Sequence, residues 1–434
     1  MRWRPLSWLA VAEPIVDYSR PKGTRDILPP ESQRWRGLVG VFADVVETAG
    51  YGHVVPPMFE HVEVFHRLGE ATDVVAKEMY ELTDRGGRRL ALRPEQTASV
   101  VRMFIENRPN LPWKVWYAGP NFRAENVQKG RYRQFDQVGI EVLGVDDPYL
   151  DVEVIALAWR FYERLGLRRV RLVLNSLGAA GDRGRYSDAL RDYFGRHLDA
   201  LSHESRETLT RNPLRVLDSK REGDREIVAG APRLRDFLSP DAAADFTTVQ
   251  EGLRALAIPF EVDEHLVRGL DYYRKTTFEF AADALDAAQN AVGGGGRYDG
   301  LVEEMGGPAT AGIGFALGVD RTLLACDAEG AFSAPATGVD VFVVDTTGGG
   351  HASALTDELW RAGISADRAY ENRSMKAQMK VADRSGAAVA LIIGGDEADA
   401  GVVTMRPLRR REGETAAQRQ VARAEVIDEL RRTL

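Results

Sequence analysis

Cysteine is nearly missing from this chain. Cys326 is the only one in 434 residues, which excludes an intrachain disulfide framework and any multi-cysteine metal site and suits a reducing compartment. Long apolar runs are missing as well. No stretch approaches the roughly 20 residues of a membrane span, so no membrane partner is expected. Positive charge is not in excess: 57 Lys+Arg stand against 65 Asp+Glu, a net charge of −8. That excludes a surface coated in basic groups while leaving room for local nucleic-acid patches. One candidate patch is Arg406, Arg409, Arg410 and Arg411, for which a solvated loop is the competing reading. The histidines show no metal-site spacing, and no Ser-His-Asp arrangement can be assembled from motifs. The glycines at 293–296 are followed by Arg297-Tyr298 rather than Lys-Ser/Thr. They are therefore no Walker loop, and they read as a turn or a close backbone approach.

What is present fits a soluble globular protein, with 44% apolar and 28% charged residues. The length predicts two or three domains. The first residues, MRWRPLSWLAVAEP, faintly resemble a signal peptide. Their apolar stretch is short and lacks a convincing cleavage site, so residues 1–20 are expected to be a poorly ordered leader. Residues 31–50 carry Trp35, Leu38, Val39, Phe42, Val45 and Val46 at helical spacing. HVVPPMF reads as an edge or interface strand, because Pro56 and Pro57 cannot donate to a ladder. Strands and helices then alternate irregularly through residues 21–177 and 259–326. An α+β antiparallel sheet flanked by helices is the predicted architecture for that part. Residues 178–258, polar and poor in β-branched runs, read as a mainly helical insertion. Residues 327–338 read as a linker. Residues 339–434 alternate strand and helix, as a small, mostly parallel α/β domain does, with a closing helix over roughly Val421 to Leu430.

The most informative stretch is YAGPNFRAENVQKGRYRQFDQVGIEVLG, Tyr117 to Gly144. It reads as two strands around a basic turn at Lys129-Gly130. Arg123 and Glu125 share a strand face, and Arg131, Arg133, Phe135, Gln137, Gly139 and Glu141 recur with period two. A surface ion-pair ladder is the bland alternative. However, arginine suits forked phosphate contact, and Phe135 offers a face on which a base can stack. In GIGFALGVDR, Gly314, Ala316 and Gly318 leave one strand face nearly bare, with Arg321 at a helix start. This suits close approach of a flat ligand or, alternatively, tight packing. RPEQTA sets Glu95 and Thr97 at a strand-to-helix junction, where Thr97 is also a plain capping candidate. LVRGLDYY gathers Arg268, Tyr272 and Tyr273.

These residues carry a resemblance. PKGTRDILPPE, NFRAE with RYRQF, and GVDR are similar to the three motifs of class II aminoacyl-tRNA synthetases. LVRGLDYY and GGGGRYDGL resemble segments specific to the histidyl-tRNA synthetase family. The similarity runs in order from residue 21 to about 430 and includes a C-terminal domain like the family's anticodon-binding module. It implies ATP-dependent activation of L-histidine and transfer to tRNA(His) by a cytoplasmic homodimer, with Mg²⁺ carried on the ATP and no protein side chain assigned as a metal ligand. It further implies that Arg123, Arg268 and Arg321 are catalytic. Arg123, Glu125, Phe135 and Arg321 would bind ATP, with Phe135 and Arg321 sandwiching adenine. Glu95, Gln96, Thr97, Gln137, Glu141, Tyr272 and Tyr273 would bind histidine. The Gln128–Arg133 loop would meet the acceptor end of the tRNA.

This chain departs from the family's pattern at Gln96, where a small residue is common. It departs also at Asn126-Val127, in place of Arg-Pro, and at Asp136, in place of histidine. Two other functions share much of the pattern. One is the non-catalytic regulatory subunit of ATP phosphoribosyltransferase, whose members generally lack the tail domain and catalytic arginines. The other is a duplicate synthetase specialised to tolerate a histidine-mimicking inhibitor.

Overall fold

A computed structural model describes residues 18–66, 77–219, 221–266, 272–286, 290–334, 338–409 and 417–434. Most of the expected leader and Arg268, Arg410 and Arg411 lie outside the described residues. The chain divides into two compact units, residues 1–333 and 334–434.

In the first unit the strands are β1 (Gly52–His53), β2 (Phe59–His61), β3 (Tyr80–Thr83), β4 (Arg89–Leu92), β5 (Trp113–Phe122) and β6 (Gln134–Leu143). They continue with β7 (Val170–Ser176), β8 (Glu261–Val262), β9 (Arg274–Ala282), β10 (Ala291–Arg297) and β11 (Gly312–Gly318). Eight of them form one sheet in the order β1-β5-β6-β11-β10-β9-β7-β8. Every inner pairing is antiparallel, and only the two-residue edge strands β1 and β8 pair in parallel. This is the antiparallel α+β sheet expected from the sequence. The strand ahead of Pro56 and Pro57 is indeed an edge. The remaining three strands form a small antiparallel sheet, β2-β4-β3.

The period-two alternation gives the large sheet two unlike faces. Val138, Ile140 and Val142 of β6, Phe278 and Phe280 of β9, and Ile313, Phe315 and Leu317 of β11 turn to a common core. The helix Glu31–Thr48 covers them with Leu38, Phe42, Val45 and Val46. Phe42 meets Trp116, Phe161 and Phe315 edge-on at 5.3 to 6.1 Å, the offset geometry that aromatic rings prefer. The helix Pro148–Arg164 closes the same core; Asp147 caps it by accepting from the Tyr149 N–H at 2.8 Å. The opposite face of the sheet carries the charged, polar and glycine positions.

The glycine run 293–296 is not a turn. It lies inside β10, flanked by β9 and β11. A side chain on Gly295 would overlap the Gly314 carbonyl, and one on Gly296 would approach the Thr276 carbonyl. Close backbone approach is what selects glycine there. Two boundaries also move. The ladder stops near Phe122 and Gln134, so Arg123, Glu125 and Arg131 lie beyond the strands. The Ala124 N–H turns away to the Glu78 carbonyl at 2.7 Å.

Residues 178–258 are helical, including Ala180–Gly195, His203–Arg211 and Pro240–Ala255. The buried Asp224 carboxylate ties part of this region together. It accepts from the hydroxyls of Ser202, Ser205 and Ser219 at 2.5 to 2.8 Å, and these bonds hold its pKa down to about 2 against the burial cost.

The second unit has strands β12 (Val341–Asp345), β13 (Ala366–Arg368), β14 (Val389–Ile393), β15 (Val402–Pro407) and β16 (Arg419–Ala422), ordered β13-β12-β14-β15-β16. The first three are parallel and the last two antiparallel. Val341 and Val343 face one apolar cluster, and Phe342 and Val344 face another. β12 is therefore covered on both sides, as in an α/β layer. The closing helix is Val426–Thr433, later than the sequence pattern suggests, because Arg419–Ala422 pairs with β15 as a strand.

Candidate active site

The site lies on the polar face of the large sheet, and its floor is almost without side chains. In register across β6 and β11, Glu141 stands opposite Gly314, Gly139 opposite Ala316, and Gln137 opposite Gly318. A methyl group on Gly314 would overlap the Glu141 carboxylate, and one on Gly139 would strike Tyr117. A flat ligand can therefore rest against backbone.

One end is acidic and buried. Glu141 is 1% exposed and accepts from Thr97 Oγ1 at 2.7 Å, Tyr298 OH at 2.6 Å and Tyr117 OH at 3.2 Å. Burial pushes its pKa up to about 8, with the nearby Glu95 charge adding to the rise and the three hydroxyls opposing it. Glu95 is held above the usual carboxylate range by burial, partly offset by backbone N–H groups and by Arg123. Its two oxygens accept from the N–H groups of Thr97 at 2.7 Å and Ala98 at 2.8 Å. Glu95, not Thr97, thus caps the helix Thr97–Asn107, which frees the Thr97 hydroxyl for Glu141. Tyr272 and Tyr273 are both buried, 4.6 Å apart between ring centroids, and Tyr272 meets Tyr298 edge-on at 5.9 Å. Gln96, between Glu95 and Thr97 in sequence, is buried as well, its Nε2 donating to the Gly119 carbonyl at 3.4 Å.

The other end is cationic. Arg123 Nε donates to the Pro94 carbonyl at 2.9 Å, and the guanidinium lies over the Phe135 ring, 5.2 Å from its centroid. Arg321, in the first turn of the helix Val319–Glu329, donates to the Ala291 carbonyl at 2.9 Å and the Gly130 carbonyl at 3.3 Å. Burial lowers the pKa of both guanidinium groups. For Arg321 the charges of Arg131 and Arg123 add to that effect, while Glu125 and Glu279 oppose it. Arg123, Arg131 and Arg321 therefore feel one another, and Arg131 also pairs with Glu125. Three guanidinium groups this close together suit a polyanion.

Residues absent from the sequence-based set belong here. Tyr117 and Tyr298 hold Glu141, and their signals lay in the motifs: Tyr117 shares the parity of Arg123, and Tyr298 follows the glycine run. Arg25 pairs with Asp320 and covers the Tyr132 ring, and the Gly23 carbonyl accepts from Arg133 N at 2.9 Å. The PKGTRD segment thereby fastens both the basic turn and the base of the Arg321 helix. That contact bridges 295 residues, a separation at which local pattern has no signal.

Comparison with known proteins gives the same outline from a separate direction. Residues 23–322 match a family model described as "Histidyl-tRNA synthetase", and residues 339–433 match one described as "Anticodon binding domain". The histidine–tRNA ligase of Rhodococcus erythropolis is 49% identical over 413 residues, covering 93% of this chain and 96% of that protein. That of a Geobacillus species is 44% identical over 422 residues, covering 95% and 99%. The crystal structure of apo Staphylococcus aureus histidyl-tRNA synthetase aligns with a TM-score of 0.80 at 34% identity, covering 95% of this chain and 99% of that one.

Proposed function

Since the chain belongs to the histidyl-tRNA synthetase family and is a histidine–tRNA ligase that uses ATP, we propose how its residues divide the work. The observation that carries the assignment is the two-ended site: paired buried carboxylates, Glu95 and Glu141, face a cluster of guanidinium groups across a glycine floor. An imidazole and an ammonium suit the first end, and a triphosphate suits the second.

Glu141, oriented by Thr97, Tyr117 and Tyr298, accepts a hydrogen bond from the histidine ring, while Tyr272 and Tyr273 wall the cavity. Glu95, Gln96, Thr97 and Gln137 hold the remainder of the amino acid. Arg123 and Glu125 position ATP, and Phe135 and Arg321 flank its adenine. The histidine carboxylate attacks the α-phosphorus, the bond to the β-phosphate oxygen breaks, and diphosphate leaves with its electron pair. Negative charge builds between two anionic partners in this step. Fixed guanidinium groups stabilise it without reorganisation, and alignment lowers the entropic barrier. Arg268, outside the described residues, is proposed to join Arg123 there. A hydroxyl of the terminal tRNA ribose then attacks the histidyl carbonyl carbon, the bond to the phosphate oxygen breaks and AMP leaves, with the Gln128–Arg133 loop at the acceptor end.

Mg²⁺ is proposed to accompany ATP, where it offsets charge on the distal phosphates. Among the described residues no cluster of three or more His, Cys, Asp or Glu side chains forms a metal cage. Glu125 and Glu279, whose charges reach Arg321, are the carboxylates suited to meet such an ion. We assign residues 21–177 and 259–326 to the catalytic domain, 178–258 to its helical insertion, and 339–434 to anticodon recognition. The working form is proposed to be a cytoplasmic homodimer. Val55, Met58 and Phe59, each more than half exposed next to the β1 edge, support an interface there. A monomer in sedimentation at micromolar concentration would count against it. Among the described residues no helix is long and apolar enough to cross a membrane.

The test is exchange of labelled diphosphate into ATP with each amino acid in turn. Histidine alone should support exchange, and Arg123→Ala or Arg268→Ala should reduce it by about 10²–10³-fold or more. Exchange with no amino acid would favour the regulatory-subunit reading; exchange with a different one would overturn the pocket assignment.

A further inference from the structure

Two residues before Glu95 stands a buried cation held by carbonyls. Arg93 is 3% exposed. Its Nε donates to the Pro120 carbonyl at 2.8 Å, and its Nη1 donates to those of Pro56 at 2.7 Å and Pro57 at 3.3 Å. Burial lowers its pKa, with Tyr117, Asp136, Glu60 and Glu95 opposing the shift. A guanidinium this deep is usually paired with a carboxylate, yet among the described residues Arg93 forms no ion pair and spends its donors on backbone. What it fastens supplies the reason.

The segment it fastens carries Arg123. Strand β5 ends at Phe122, and Arg93 holds that end twice. Its side chain takes the Pro120 carbonyl, and its own carbonyl accepts from the Phe122 N–H at 2.9 Å. The next residue, Pro94, accepts from Arg123 Nε at 2.9 Å. The backbone leading into Arg123 and the guanidinium it bears are thus both tied to residues 93–94. Glu95 follows at once, capping the helix Thr97–Asn107.

On its other side Arg93 is anchored to the outer segment. Pro56 and Pro57 supply two of its acceptors, and the Met58 carbonyl accepts from the Arg93 N–H at 2.9 Å. Consecutive prolines restrict the backbone there, so those carbonyls are stiff supports. A planar fork with fixed donor directions can join two such segments at a set spacing, whereas an ammonium is a point donor.

We propose that Arg93 is a positioning residue for adenylate formation: it locks the end of β5 and the Pro94–Glu95 segment to the Pro56–Pro57 backbone and so fixes Arg123 where the α-phosphate is met. It touches no substrate itself. The inference rests on the ATP-binding reading of Arg123 and adds the residue that sets it.

Single-turnover adenylate formation by the full-length protein tests it. Arg93→Lys keeps the charge and loses the fork, and should slow the step by about 10–100-fold, the scale at which a misplacement of about 1 Å is felt. Histidinol affinity should stay within about threefold, because Tyr117 and Tyr298 still hold Glu141. In an Arg123→Ala background the same substitution should slow the step by less than about threefold more, since its effect runs through Arg123. Arg102→Lys is the control. Arg102 ties the helix Thr97–Asn107 to Glu60 of β2 at 2.8 Å, so its loss should lower the denaturation midpoint and leave the rate unchanged. Full multiplication of the two losses in the double variant, or an unchanged rate beside a lowered midpoint in Arg93→Lys, overturns the proposal. If Arg93→Lys is insoluble, hydrogen exchange in the wild-type protein decides the matter. ATP should slow the Arg93 and Phe122 amides together; slowing of Phe122 alone, or of neither, overturns the proposal. A wild-type protein that formed no adenylate would remove the ATP reading itself.

Discussion

Glu141 is the residue at which burial and function pull hardest against each other. Its folded-state pKa of about 8 lies well above the ordinary carboxylate value of about 4.3. Between those pH values the folded protein holds a proton that the unfolded chain has released. The associated stability is present in full below about pH 4 and is lost as pH rises through about 8. Glu141→Gln cannot ionise, so it should flatten the decline of Tm between pH 5 and pH 8.5, measured by calorimetry. An unchanged slope would assign the effect to another group. The same residue suits the imidazole N–H proposed to bind there. A donor arriving at Glu141 favours its ionised form, so histidine binding near pH 7 should release a proton, visible as a buffer-dependent binding enthalpy.

At the scale of elements, the decisive part is the pair of glycine-rich strands β10 and β11. Their backbones lie where side chains would otherwise stand, which flattens the floor next to Glu141. Gly295→Ala should destabilise by about 3 kcal/mol in chemical denaturation, because no flexible side chain can move to admit the methyl group. Gly184 sits exposed in the helix Ala180–Gly195 with nothing within 4 Å of an added Cβ, so Gly184→Ala should stabilise by about 0.5–1 kcal/mol. If both substitutions shift the denaturation midpoint alike, steric exclusion at the floor is not the reason for glycine. The buried Arg297–Asp151 pair, at 2.7 Å, anchors the end of β10 to the helix Pro148–Arg164. Arg297 also donates to the Val145 and Asp147 carbonyls. With these partners satisfied the burial is tolerated; removing one member would strand a charge.

At the scale of the molecule, the boundary between the units determines where the chain can be cut. The helix Val319–Glu329 and the residues after it remain part of the first unit. Arg34 donates to the Asp327 carboxylate at 2.6 Å and the Phe332 carbonyl at 2.8 Å. A protein ending at Ser333 should therefore keep histidine-dependent exchange near the full-length rate while losing most tRNA charging, since anticodon contacts are assigned to residues 339–434. Undiminished charging by that fragment would contradict the assignment. Ending at residue 326 instead should impair exchange as well, by depriving the buried Arg34 of its Asp327 and Phe332 acceptors.

Alternating patterns and glycine and proline positions were enough to predict most of the strands and the antiparallel large sheet, and the motif spacing was enough to name the candidate arginines and carboxylates of the site. Those properties are local, and each depends on residues only a few positions apart. The tertiary structure decided what no short stretch contains. It decided that the four-glycine run is a central strand instead of a turn, because only neighbouring backbones reveal the missing space. It decided that Glu95 rather than Thr97 caps its helix, and that Tyr117 and Tyr298 from distant segments converge on Glu141. It also set the buried Arg93 on the Pro56, Pro57 and Pro120 carbonyls. Burial, pKa and hydrogen-bond completeness are properties of surroundings assembled from the whole chain, and for that reason they could be read only after it had folded.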